Sequence, residues 1–183
     1  MQVDDTPLAG VKRLQPRSHE DARGAFLETH SQAAYQRLLG PEAHFVQDNL
    51  SYSQQGVLRG LHYQKTQPQG KLITVLQGHI YDVAVDIRPG STTYGQWYGV
   101  TLGPKQQLWL PEGMAHGFLT LSPEAIVAYK CSRYYAPEDE ACLLWSDPEL
   151  NIAWPLTQLS IAPILSPKDQ LGLLFKDAFS CTL

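Results

Sequence analysis

Between Gln47 and Lys71 the chain carries a dense polar cluster that includes Gln47, Asn49, Arg59, His62 and Lys71. Imidazole exchanges a proton near neutral pH, and guanidinium and ammonium groups suit a phosphate. Arg59 and His62 sit in the run Gly56-Val57-Leu58-Arg59-Gly60-Leu61-His62. Residues two apart on a strand share a face, so Gln47 and Asn49 point the same way. Arg59 and His62 are three apart and share a face only across a bulge, for which Gly60 is suited. By itself, the segment is equally compatible with Arg59 as a surface charge and His62 as a hydrogen-bonded core histidine.

A second cluster runs Leu110-Pro111-Glu112-Gly113-Met114-Ala115-His116-Gly117-Phe118. Its Pro-x-Gly-x-x-His pattern between two strands resembles the second motif of the cupin superfamily of β-barrels. In metal-dependent cupins that histidine is a ligand, and a first motif adds His-x-His and a following Glu. The counterpart here is His62-Tyr63-Gln64, without the second histidine or the Glu. Two histidines leave a transition metal short of three ligands, so no metal is expected. A third cluster, Tyr129 to Pro137, is tyrosine-rich, and strand tyrosines usually pack. A fourth, Ser166-Pro167-Lys168-Asp169, reads by default as a solvated turn.

The elements that must position these groups are mostly strands. Lys71–Leu76 and Ile80–Ile87 flank Gln77-Gly78-His79, a hairpin signal. Tyr81, Val83, Val85 and Ile87 alternate with Asp82, Ala84 and Asp86, the period of a half-buried strand. Further strands are expected at Gln96–Leu102, Gln107–Leu110, Gly117–Leu121 and Ile126–Arg133. Turn signals about every ten residues point to a sandwich or barrel. One helix is expected at Ser31–Leu39, stopped by Gly40-Pro41. Leu171–Phe175 reads as a short helix or a packing arm.

At 183 residues, with no internal repeat or linker, the chain reads as one domain. A net charge of −4 without a basic stripe argues against a nucleic-acid surface. Met1-Gln2-Val3-Asp4-Asp5 has no signal-peptide character, and no apolar run approaches the ~18 residues of a membrane span. Cys131, Cys142 and Cys181 lack metal spacing and read as reduced thiols of a cytoplasmic protein.

The motifs also occur in a telling order. Asp21-Ala22-Arg23-Gly24-Ala25-Phe26-Leu27-Glu28 precedes Gln47-Asp48-Asn49 and Gly56 to Gln64. Gln69-Gly70-Lys71, Asp82 to Arg88, Pro111 to Phe118 and Tyr134-Tyr135-Ala136-Pro137 follow. Trp145-Ser146-Asp147-Pro148, Trp154-Pro155 and Ser166 to Asp169 close the series. This series resembles the dTDP-4-dehydrorhamnose 3,5-epimerase family of the cupin superfamily, from about residue 8 to residue 175. The resemblance implies an all-β cupin-type jelly-roll barrel with a few short helices. It also implies a homodimer with exchanged N-terminal strands and no cofactor. The implied reaction inverts C3 and C5 of a dTDP-4-keto-6-deoxy sugar. Both centres are α to the C4 ketone, so each inversion can pass through an enolate.

By the same resemblance His62 is the base and Asp169 its partner, Lys71 the cation at the developing enolate oxygen, and Tyr129 the acid. Gln47, Asn49, Arg59 and His116 match substrate-contacting positions, and Tyr135 the aromatic that stacks on thymine. Glu140 and Lys168 match further substrate contacts. Arg23, Phe26 and Glu28 match residues that enter a neighbouring subunit's site. Pro167 departs from the family's frequent Glu, and its fixed φ is expected to shift Asp169 slightly. A relative inverting only one centre, and a non-catalytic sugar-binding cupin, share the motifs. Binding alone does not need a base, a cation and an acid together.

Overall fold

The computed structural model describes residues 1–41 and 43–179. Two antiparallel sheets pack face to face, and a small hairpin stands apart. The first sheet has the order β1 (Gln2–Asp5), β2 (Lys12–Gln15), β10 (Gln107–Leu110), β7 (Lys71–Gln77), β12 (Glu124–Cys131), β5 (Gln47–Gln54). The second runs β13 (Glu140–Cys142), β6 (Leu58–Gln64), β11 (Met114–Thr120), β8 (Ile80–Asp86), β9 (Trp97–Leu102). β3 (Ser18–Asp21) and β4 (Gly24–Leu27) form the separate hairpin. The fold is the expected jelly roll.

Strand period two sorts the core into layers. Ile73, Val75, Ile80, Ala84, Phe118 and Val127 meet between the sheets. On the far side of the first sheet, α1 (Gln32–Leu39) lays Tyr35 and Leu39 over Leu14, Leu72 and Trp109. Ser31 stands at its N-cap and Gly40 ends it at φ 101°, as the stop signal predicts. On the far side of the second sheet, Leu150, Trp154 and Phe175 cover Val83, Val85 and Leu61.

That last layer corrects one expectation. β8 is not half-buried: Asp82 and Asp86 are as fully buried as the valines between them. Its polar face points into the barrel, and the late part of the chain covers its apolar face. A second correction concerns β7 and β8, which do not form a hairpin. β7 pairs with β10 and β12, whereas β8 pairs with β11 and β9. Gly78, at φ 77°, turns the chain from one sheet to the other. A turn signal fixes a change of direction, while distant strands decide who pairs.

After β13 the chain wraps the second sheet as an arm. It contains a 3-10 turn (Leu156–Gln158), α2 (Pro167–Gln170) and α3 (Phe175–Ala178). Single bridges, Val57 to Ile164 and Leu143 to Leu173, fasten it. Leu171–Phe175 is therefore the packing arm rather than a helix, apart from Phe175 at the start of α3. Cys131 and Cys142 are buried free thiols, and Cys181 lies outside the described residues. Among the described residues no helix is long and apolar enough to cross a membrane.

Candidate active site

One cleft of about 180 Å³ opens at an end of the barrel, lined by Asn49, Arg59, His62, Lys71, His116, Tyr129, Tyr135 and Glu140 among others. Arg59 and His62 reach it together because β6 is irregular. His116 pairs with His62 and Phe118 with Arg59, so the register slips between them. Gly60 takes φ 113°, and a Cβ there would lie 2.6 Å from the Gly117 Cα. The bulge needed at Gly60 is present, and Gly117 gives it room.

His62 Nε2 lies 2.6 Å from Asp169 Oδ1. The imidazole is 25% exposed and the carboxylate 4%. Asp169 also accepts hydrogen bonds from Gly60 N at 3.2 Å and Ser166 Oγ at 2.7 Å. Burial would raise its pKa, but the hydrogen bonds from His62, Ser166 and Gly60 bring it down to about 2. Asp169 is thus a fixed anion that orients the ring. Pro167 does not disturb it. Proline occupies the first turn of α2, where its missing N–H costs nothing, and Ser166 caps Asp169 N. The solvated-turn reading holds for the exposed Ser166, Pro167 and Lys168 but not for Asp169, which is buried.

Lys71 enters from the start of β7. Its side chain makes no hydrogen bond or ion pair among the described residues, leaving its ammonium to the cleft. Burial lowers its pKa, opposed by Cys131, Glu140 and Asp82. Tyr129, on β12, lies 2.6 Å from Ser51 Oγ through its hydroxyl. Burial holds it protonated above the usual phenol range, with Ser51 opposing. A neutral acid and a buried cation therefore share the cleft with a carboxylate-held imidazole.

The rim is organised around Tyr135. Its hydroxyl donates to Glu140 Oε2 at 2.6 Å, and Glu140 in turn pairs with Lys168 Nζ at 2.7 Å. The Glu140 hydrogen bond, with burial, pushes the phenol up to about 12. Gln47 Oε1 accepts Tyr135 N at 2.8 Å while Gln47 Nε2 donates to Asn49. The ring is pinned at both ends, with 47% of the residue exposed. Gln47 thus serves Tyr135 instead of lining the cleft. Among the described residues Arg59 donates only to Ser53 Oγ and Tyr52 O, and no carboxylate there pairs with it.

The structure does not bring every expected residue together. Arg23 and Phe26 lie on the β3–β4 hairpin and Glu28 just after it, and none lines the cleft of its own chain. Three participants were missed. Asp82 holds His116 Nε2 at 3.0 Å in a pair whose side chains are only 5% and 0% exposed. Ser51 holds Tyr129, and Ser166 holds Asp169. The rule that places Gln47 and Asn49 on one face also reaches Ser51, so that signal was available.

His62, Cys142 and Asp169 each offer a ligand atom within 4.8 Å of the others. The Cys142 thiol is pushed up to about 12 by burial and by Asp169, and the Asp169 carboxylate is already engaged by His62, Ser166 and Gly60 N.

Comparison with known proteins places this geometry. The family model "dTDP-4-dehydrorhamnose 3,5-epimerase" matches residues 5–177. An epimerase of that name from Pseudomonas aeruginosa is 51% identical over 180 residues, covering 97% of this chain and 98% of that one. One from Neisseria gonorrhoeae is 48% identical across 97% of this chain, which spans 54% of that relative's length. The crystal structure of the Legionella pneumophila 3,5-epimerase in complex with dTDP-4-keto-L-rhamnose matches with a TM-score of 0.90 and 50% identity, covering 94% of this chain and 92% of that chain. A Streptomyces bikiniensis 3'-monoepimerase in complex with dTDP-quinovose matches with a TM-score of 0.85 and 32% identity, covering 92% of this chain and 85% of that chain.

Proposed function

The chain belongs to the dTDP-4-dehydrorhamnose 3,5-epimerase family, and we propose that its cleft carries out the reaction with His62 as base and Tyr129 as acid. The enzyme is an isomerase that inverts C3 and C5 of dTDP-4-dehydro-6-deoxy-D-glucose, giving dTDP-4-dehydro-L-rhamnose. One observation carries the residue assignment: His62, paired to Asp169 at 2.6 Å, shares one cleft with Lys71 and Tyr129.

The steps follow from where charge moves. The C4 ketone acidifies the hydrogens on C3 and C5. His62 takes one of them, and the Asp169 anion stabilises the imidazolium that forms. The negative charge collects on the C4 oxygen, where the Lys71 ammonium stabilises the enolate more than the ketone. Tyr129 returns a proton to the opposite face, and the centre is inverted. Arg59 serves a phosphate, and thymine stacks on the exposed Tyr135 ring.

The working form is a homodimer. β5 is an edge strand, and Leu50 and Tyr52 on it, with Leu76 on β7, are about half or more exposed. A groove of about 400 Å³ runs over Leu50, Leu72, Leu76 and Ala128 on this outer face. The β3–β4 hairpin, with Phe26 75% exposed, has two open edges of its own. Placed on the β5 edge of a second copy, it brings Arg23, Phe26 and Glu28 to that copy's cleft. Light scattering in solution tests this, and a monomeric mass sinks it. The free thiols of Cys131 and Cys142 fit a cytoplasmic setting.

Turnover of dTDP-4-keto-6-deoxy-D-glucose in D2O, followed by proton NMR, tests the reaction. Deuterium at both C3 and C5 is expected. Deuterium at one centre alone makes the enzyme a mono-epimerase.

A further inference from the structure

Each inversion leaves the site with a spent acid. Tyr129 has given its proton to carbon and has become a phenolate in a partly buried position, where an unpartnered anion is costly. A second inversion cannot begin until that oxygen is reprotonated. Ser51 Oγ, 2.6 Å away, is the hydrogen-bond partner of the Tyr129 hydroxyl among the described residues. Ser51 is not among the residues that line the cleft, and it is partly buried, so it meets the Tyr129 hydroxyl from beside the cleft with some access to water. A serine hydroxyl both donates and accepts, which a relay requires.

We propose that Ser51 is a positioning and proton-relay residue that reloads Tyr129 between the two inversions. This rests on the reading of Tyr129 as the acid. Before the transfer Ser51 donates to the phenol oxygen, which leaves the phenol proton aimed into the cleft. Tyr129 O–H then breaks as the C–H bond forms, and Ser51 O–H donates to the phenolate. In the reload, Ser51 passes its proton to the phenolate oxygen while accepting one from a water molecule. The proton held by His62 returns to solvent, so no net proton is gained or lost.

Ser51→Ala removes the relay and leaves the His62 side intact. In D2O, His62 still removes hydrogen from C3 and C5 and returns deuterium to the same face. Exchange without inversion therefore persists, while inversion falls by about 10- to 100-fold, the kinetic weight of a hydrogen bond to a charged group. KM stays near the parent value, and Ser51→Thr, which keeps the hydroxyl, restores most of kcat. Inversion within twofold of the parent in Ser51→Ala overturns the proposal, as does an equal fall in exchange and inversion. Tyr129→Phe separates the two layers. Retained inversion there removes Tyr129 as the acid and the relay with it. An inactive Tyr129→Phe beside a normal Ser51→Ala removes the relay alone.

Discussion

The barrel holds two His–Asp pairs side by side, and they differ in almost everything but composition. His62 and His116 are cross-strand neighbours on β6 and β11. His116 takes its aspartate from the adjacent strand β8, in a ladder buried at every position except Tyr81. His62 takes its aspartate from the arm, 107 residues away, and keeps a quarter of its side chain exposed. The His62 ring stands open to water and substrate, whereas His116 shows the cleft only a small part of its side chain. The pair alone does not make a base; an open ring edge does. The buried pair instead holds His116 still, so that it can offer a fixed contact at the cleft wall.

The sharpest way to break this comparison is His62→Ala. Turnover is expected to fall by about 100- to 10,000-fold, the usual contribution of a general base. Binding of dTDP, measured by calorimetry, should hardly change, because the base acts on the sugar. Near-normal turnover ends the assignment. Asp169→Asn comes next. The amide preserves the shape but no longer fixes the tautomer or stabilises the imidazolium, so kcat should drop about 100- to 1,000-fold.

Acid titration sharpens the same pair. The folded Asp169 pKa, about 2, lies below its ordinary 3.8. A depressed carboxylate pKa contributes stability above the unfolded value and loses it as pH falls through the folded one. Parent stability minus that of Asp169→Asn should therefore shrink between about pH 4 and pH 2. A constant difference over that window contradicts the pairing.

The buried pair predicts a different failure. Asp82→Ala strands His116 without its partner and should cost about 3 kcal/mol of stability, read as a lower Tm. An unchanged Tm would mean that the pair contributes nothing to the barrel. Tyr135→Ala touches neither pair and sets the lower end of the scale. It should weaken dTDP binding by about 1–2 kcal/mol, as loss of a base-stacking face does, with little change in kcat. Unchanged affinity argues against stacking there.

The barrel was largely legible because its strands announce themselves by period and by glycine. The bulge at Gly60 was legible too, since Arg59 and His62 could share a face in no other way. Pairing partners were not legible: nothing local in Gln77-Gly78-His79 says that the next strand crosses to the other sheet. Asp169 shows the same limit. Read locally, it is one acid in a polar turn, and only the arm's path brings it to His62. The burial of Asp82 was hidden for a related reason, because an alternating strand looks the same whether its polar face meets water or a barrel interior.

The arm has a consequence for when the molecule becomes active. The bridges at Ile164 and Leu173 bracket the short helix that carries Asp169. Local, cheap openings are the first motions of any fold, and the stretch between those two bridges, where Ile164, Leu171 and Leu173 are about half or more exposed, is a natural place for one. Each such opening disconnects the aspartate while both sheets stay intact. During folding the order reverses: the sheets can form first, and the most distant contact closes last. Catalytic competence then becomes a report on the last docking event, and on warming it should fade before the β-structure does.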